Sequence, residues 1–187
     1  MYSRTFVHGF TVTCTVALSL VGGNAYATAA SSGDQPLAAR VVTYNAGASA
    51  EFKAAVDRGA AVWNESVDSV ELRPAAAGQR ANIQVIADNG WPRALTTSLG
   101  NGTVYIGREA VNQGYDTVRI SAHELGHILG LPDRKPGPCS SLMSGSSAGV
   151  PCKNPYPDAA EKAEVEGNFG SALARPTVAV PNGVIVD

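Results

Sequence analysis

One stretch constrains this chain more than any other: His123-Glu124-Leu125-Gly126-His127-Ile128-Leu129-Gly130-Leu131-Pro132-Asp133. Its surroundings predict a helix. Val118, Ala122, Leu125 and Leu129 recur at four-three-four spacing and define one apolar stripe. Asp116 or Thr117 stands where a helix cap belongs, and the pattern runs to about Leu129. Gly130 supplies the left-handed conformation that ends a helix, and Pro132 stiffens the chain as it turns back. Four residues of α-helix advance about 400°, one turn plus about 40°. His123 and His127 therefore project from one face about a turn apart, roughly opposite the apolar stripe. The expectation is a helix with one face in the core and the other lining a cleft.

Two imidazoles so placed can share one Zn²⁺, because neutral ring nitrogens suit that ion. Glu124 stands beside them as a base for water. A zinc site needs a third protein ligand. The nearest side chain able to reach back after Gly130 is Asp133. Two His and one carboxylate leave a fourth position open, the catalytic rather than the structural pattern.

The N-terminal segment explains why no other ligand competes. Arg4, the apolar run from Phe10 to Val21 and the small residues of Ala25-Tyr26-Ala27 or Ala27-Thr28-Ala29 form the pattern of a secretory signal peptide over residues 1–29. His8 and Cys14 leave with it, so the remaining His are His123 and His127 and the remaining Cys are Cys139 and Cys152. A secreted chain with two cysteines is expected to pair them. That bridge closes a loop poor in apolar residues and is worth about 3 kcal/mol in the chain-entropy model. Met143 lies inside the loop, in Ser140-Ser141-Leu142-Met143-Ser144-Gly145, where a thioether could floor the ligand cluster. Residues 30–40 read as a short pro-segment or a flexible N-terminus.

The rest reads as mixed α and β. Strands are predicted at Val41–Tyr44, Val70–Leu72, Ile83–Ile86 and Thr103–Ile106, with turn chemistry at Asn89-Gly90-Trp91-Pro92. Ser49 is expected to cap a helix running to about Ser66, in which Phe52, Val56, Ala60 and Trp63 recur at helical spacing. A Gly-, Pro- and Ser-rich loop spans Gly130 to Pro157, and a further helix Asp158 to Phe169. The domain is taken as residues 41–170. The extension 171–187 carries alternating apolar residues, which suit either an edge strand or a mobile tail.

H-E-x-x-H-x-x-G-x-x-D followed by a Met-containing turn resembles the metzincin zinc endopeptidases. Most metzincins carry a third His where this chain has Asp133. The Asp variant is similar to the snapalysins, small neutral metalloproteases secreted by streptomycetes. Tyr115-Asp116, Gly137-Pro138-Cys139-Ser140 and Asn154-Pro155-Tyr156-Pro157 carry the likeness further. The close match covers about Tyr115 to Val165. Trp63-Asn64 and the element order extend it upstream.

The resemblance implies an α+β fold: a small twisted mixed sheet, a backing helix, an active-site helix, a Met-turn and a C-terminal helix. It implies His123, His127 and Asp133 as zinc ligands, Glu124 as catalytic base and Met143 as the Met-turn methionine. It implies a secreted monomer that cleaves proteins or peptides, with an aromatic residue preferred just after the scissile bond. It also implies Ca²⁺ near the start of the active-site helix. Asp116 matches a calcium position, while Val118 offers only a carbonyl where a Thr is expected. Tyr156, between two prolines, is a candidate for lining the substrate pocket or donating to the oxyanion, with rigid packing as its alternative. No Tyr follows Met143 at short spacing, and no Cys remains in residues 30–40 for a zinc-bound latency switch.

Two other functions stay open: an inactive secreted zinc-binding protein, and a zinc hydrolase of non-peptide amides. Retention of Glu124 disfavours the first, since a structural site needs no base. Composition excludes more distant classes. Fourteen Lys and Arg against sixteen Asp and Glu, with no basic block, leave no electrostatic footprint for nucleic acid. No run of apolar residues beyond the N-terminal segment is long enough to span a membrane.

Overall fold

The computed structural model describes residues 38–170 and the backbone of 183–186. The expected signal peptide, most of segment 30–40 and most of the extension 171–187 lie outside the described residues. The elements are β1 (Arg40–Ala48), α1 (Lys53–Asn64), β2 (Val70–Pro74), β3 (Ile83–Asp88), β4 (Arg93–Ser98), β5 (Asn101–Gly107), α2 (Arg108–Asn112), α3 (Thr117–Ile128), α4 (Ala159–Gly170) and β6 (Gly183–Val186). One sheet holds all six strands in the order β2-β1-β3-β5-β4-β6. The pairs β1–β2, β1–β3 and β3–β5 are parallel. The pairs β4–β5 and β4–β6 are antiparallel. The fold is α+β and metzincin-like.

Alternation along the strands decides which face is covered. Val42, Tyr44 and Ala46 of β1, Ile83 and Val85 of β3, and Val104 and Ile106 of β5 are buried. The other face is less buried and mixes polar residues with Val41 and Ile86, and Thr43, Asn82 and Asn101 hydrogen-bond there. Helices α1 and α3 pack against each other, α1 also against β1 and β2, and α3 against β4 and β5. Val56, Ala60, Trp63, Leu125, Ile128 and Leu129 fill the layer between helices and sheet. Burying the larger of these side chains stabilises by about 1.5–3 kcal/mol each.

The contact between α1 and α3 is close enough to involve backbone. A β-carbon on Gly59 would lie 2.8 Å from the amide nitrogen of Ala122. Next to it, the Trp63 indole N–H donates to the Ala122 carbonyl at 2.8 Å. Asn64, at the helix end, pairs with both backbone groups of Leu72, at 2.8 and 2.9 Å. These bonds tie α1 to α3 on one side and to the edge strand β2 on the other.

Several expectations need correction. Ser49 does not cap α1. Its hydroxyl donates to Ala46 O at 2.7 Å, and the chain enters α1 through a 3₁₀ turn, Ala50–Phe52. Strand β4 and helix α2 were not expected. β4 follows Pro92 and buries only Ala94 and Thr96, too short an alternation to register. The stripe on α3 differs as well: Val118 is half-buried, while Ile120 and Ile128 are in the core. The open alternative for the tail resolves over Gly183–Val186, which pairs with β4 and so covers an otherwise open sheet edge.

Gly59→Val forces a side chain against backbone that cannot move without separating the helices. We expect a loss of about 1–3 kcal/mol or more, read as a lower urea midpoint at unchanged slope. An unchanged midpoint would mean that the two helices are not in contact at this position.

Candidate metal centre

Helix α3 begins where Asp116 accepts a hydrogen bond from the Arg119 amide at 2.9 Å, so Asp116, not Thr117, is the cap. The helix is enclosed on all sides from Arg119 to Leu129. This differs from the expected split between a core face and a cleft face: His123, His127 and Glu124 are as buried as the apolar stripe. Burial on that scale is costly for polar groups unless each has a partner.

The two imidazoles meet edge-on, with their Nε2 atoms 3.0 Å apart. Each Nδ1 faces a backbone carbonyl: His123 that of Leu142 at 3.0 Å, His127 that of Leu131 at 2.8 Å. A carbonyl can only accept, so both Nδ1 atoms carry hydrogen, and in the neutral rings both Nε2 atoms then present a lone pair. The carboxylate oxygen Oδ1 of Asp133 completes the cluster, 3.3 Å from His123 Nε2 and 3.5 Å from His127 Nε2.

The helix end produces this arrangement. Gly130 has φ +97°. The Leu131 amide bonds to Gly126 O and the Gly130 amide to His127 O, both at 3.0 Å, which is a Schellman motif. The turn that stops the helix thereby aims the Leu131 carbonyl at His127 and brings Asp133 back over both rings. Burial pushes the Asp133 carboxyl up, while His123 and His127 in their protonated form, together with Lys135, outweigh burial and hold it below the usual carboxylate range.

A metal ion fits this donor set. Ligand atoms about 2.0–2.1 Å from a tetrahedral zinc lie about 3.3 Å from one another, close to the three separations here. Two lone pairs and a carboxylate oxygen facing one another repel, and a shared cation turns that repulsion into bonding. Among the described residues, His123, His127 and Asp133 are the one group of three or more His, Cys, Asp or Glu placed to hold a metal.

The remaining candidates fall around this centre in different ways. Glu124 is fully buried and adjacent in sequence to His123. Met143 is fully buried under α3, its sulfur close enough to Gly126 that a β-carbon there would lie 2.8 Å from it. Cys139 and Cys152 form a disulfide across the loop. A pocket beside His123 is lined by Tyr115, Asp116, Arg119, Ile120, Gly145 and Ser146. Tyr156 is not among its lining residues. The Tyr156 hydroxyl accepts from Arg58 at 2.6 Å and donates to Glu65 at 2.9 Å, so its polar end is engaged by α1 and the residue that follows it. Sequence reasoning did not identify Arg119 or Glu161, two buried charges bonded to the Met143 turn. Asp158-x-x-Glu161 was legible as a capping box, but nothing marked it as buried.

Comparison with known proteins agrees with this geometry. Residues 39–171 match the Streptomyces extracellular neutral proteinase (M7) family. The chain is 42% identical over 125 residues to the extracellular small neutral protease of Streptomyces caespitosus, covering 66% of this chain and 92% of that protein. It is 39% identical over 137 residues to the protein of that name from Streptomyces sp. (strain C5), covering 73% of this chain and 59% of the relative. The figures for Streptomyces lividans are 40% over 132 residues, 70% and 58%. The chain thus spans a little under three fifths of the latter two relatives. With the match running through the whole described domain, this chain belongs to the Streptomyces extracellular neutral proteinase (M7) family.

Proposed function

We propose that this chain is a secreted zinc-dependent metalloendopeptidase, with residues 1–29 as its signal peptide, 41–170 as its catalytic domain and proteins or peptides as substrates. The observation that carries the reading is the convergence of His123 Nε2, His127 Nε2 and Asp133 Oδ1 at ligand-to-ligand spacing. The extracellular protease names of the relatives support it. In this reading those three residues hold zinc and the protein acts as a monomer.

A zinc ion held there supplies Lewis acidity towards water and towards the scissile carbonyl. Glu124 takes the proton from water and passes it to the leaving amine. The Leu142 and Leu131 carbonyls keep both rings in the tautomer that offers Nε2. Met143 packs beneath the helix and keeps the ligand bed apolar from below. A preference for an aromatic residue just after the scissile bond rests on the resemblance alone. A calcium ion at Asp116 rests on the resemblance alone, and it would share a carboxylate already committed to the cap of α3.

Glu124→Gln is expected to keep about one zinc per chain and to lose casein hydrolysis by about 10²–10⁴-fold. Near-wild-type hydrolysis with zinc bound would remove Glu124 from its role. Casein clearance by wild type, set beside turnover of simple non-peptide amides, separates a peptidase from a different zinc hydrolase.

Asp133→Ala leaves two imidazoles to hold the metal and is expected to lose most of the zinc affinity in a chelator titration. Asp133→His is expected to retain zinc and part of the activity, since the same turn presents the side chain. Wild-type affinity in Asp133→Ala would place the third ligand elsewhere.

A further inference from the structure

Two buried charges outside the ligand set grip the turn that carries Met143 from opposite sides. Arg119, one helical turn before His123, is 6% exposed, and Glu161, in the first turn of α4, is 0% exposed. Glu161 has a local role at its helix end. Asp158 accepts from the Ala160 and Glu161 amides, and Glu161 reaches back to the Asp158 amide at 2.7 Å, a capping box. A capping box needs no burial. This one is buried because the same carboxylate also accepts from the Leu142 amide at 3.0 Å, the Met143 amide at 2.8 Å and the Ser141 hydroxyl at 2.5 Å. Arg119 meets the turn from its carbonyl side. Its Nη2 donates to Ser141 O at 2.8 Å, Leu142 O at 3.3 Å and Ser144 Oγ at 3.0 Å, and its Nη1 to Asn154 O at 2.5 Å.

These partners sort by peptide group. The Ser141 carbonyl and the Leu142 amide belong to one peptide, and the Leu142 carbonyl and the Met143 amide to the next. Each of the two peptides therefore has its oxygen on a buried cation and its N–H on a buried anion. A peptide held at both ends in a low-dielectric interior cannot rotate without breaking a charge-assisted bond at each end. The second of these oxygens, Leu142 O, is also the acceptor for His123 Nδ1–H. The orientation of one candidate ligand thus depends on a carbonyl whose position is set by Arg119 and Glu161.

We propose that Arg119 and Glu161 are positioning residues of the metal centre: a buried ion pair bridged by two backbone peptides, which holds the Leu142 carbonyl and through it the His123 ring. The proposal rests on His123, His127 and Asp133 being the zinc site. Partners of this kind behind a ligand typically contribute a factor of 10–100 in metal affinity. Because both residues act through the same peptides, their effects should not add.

The test is zinc affinity by chelator competition, with folding followed by circular dichroism, for wild type, Glu161→Gln, Arg119→Met, Arg119→Lys and the double variant Arg119→Met/Glu161→Gln. Val165→Ala serves as control, since Val165 is buried on the same helix as Glu161. Glu161→Gln and Arg119→Met are each expected to weaken zinc by about 10–100-fold, and the double variant by less than the product. Arg119→Lys keeps the charge without the planar fork and should fall between wild type and Arg119→Met. Val165→Ala should lower the melting temperature and leave zinc affinity unchanged. If Arg119→Met does not fold, Arg119→Lys and Glu161→Gln carry the test. Wild-type affinity in folded Glu161→Gln and Arg119→Lys would overturn the positioning role alone. A wild-type chain that takes up no zinc would overturn the site on which it rests.

Discussion

Three electron-rich atoms held within 3.5 Å of one another in a buried place are the constraint on which the rest of this structure depends. Two imidazole lone pairs and a carboxylate oxygen do not stay together unaided. Something must hold each in place when they repel, and something positive must join them for the arrangement to be favourable. Much of the molecule can be understood as meeting the first of these demands. Carbonyls of Leu142 and Leu131 fix both rings, and each of those carbonyls belongs to a turn with its own anchors. One anchor is the Schellman end of α3. The other is the Met143 turn, bracketed by a disulfide and bonded from both sides by buried charges.

The fold supplies the platform for those anchors. Helix α3 lies beside α1 on the sheet, and Gly59 with the Trp63–Ala122 hydrogen bond sets how close the two helices come. A helix buried on every side has little freedom to roll, so side chains a turn apart keep their common direction.

How much of this was legible in sequence follows from the range of the forces involved. His123, His127, the stop at Gly130 and the reach of Asp133 are encoded within eleven residues, so spacing and local backbone preference were enough. The Cys139–Cys152 bridge needed only a count. The strands β1, β3 and β5 announced themselves because Val, Ile and Tyr alternate along them. Strand β4 did not, since Arg93–Ser98 is held by pairing on both edges rather than by its own apolar content. Ser49 misled for a related reason: a residue fit for capping a helix bonded back to Ala46 instead. Arg119 and Glu161 were the least visible, because the Met143-turn backbone groups they bond are 18 or more residues away and only the folded chain brings them together. Tyr156 was singled out from its prolines, and its hydroxyl is engaged by Arg58 and Glu65.

The central claim is that the repulsion between these three atoms is resolved by one zinc ion bound to them. X-ray absorption at the zinc edge, on the full chain loaded with one equivalent of zinc, addresses this directly. The expected first shell is four nitrogen or oxygen atoms at about 2.0–2.1 Å, with the outer-ring scattering of two imidazoles and no sulfur. A shell of six oxygens, a sulfur neighbour or the absence of imidazole scattering would contradict it.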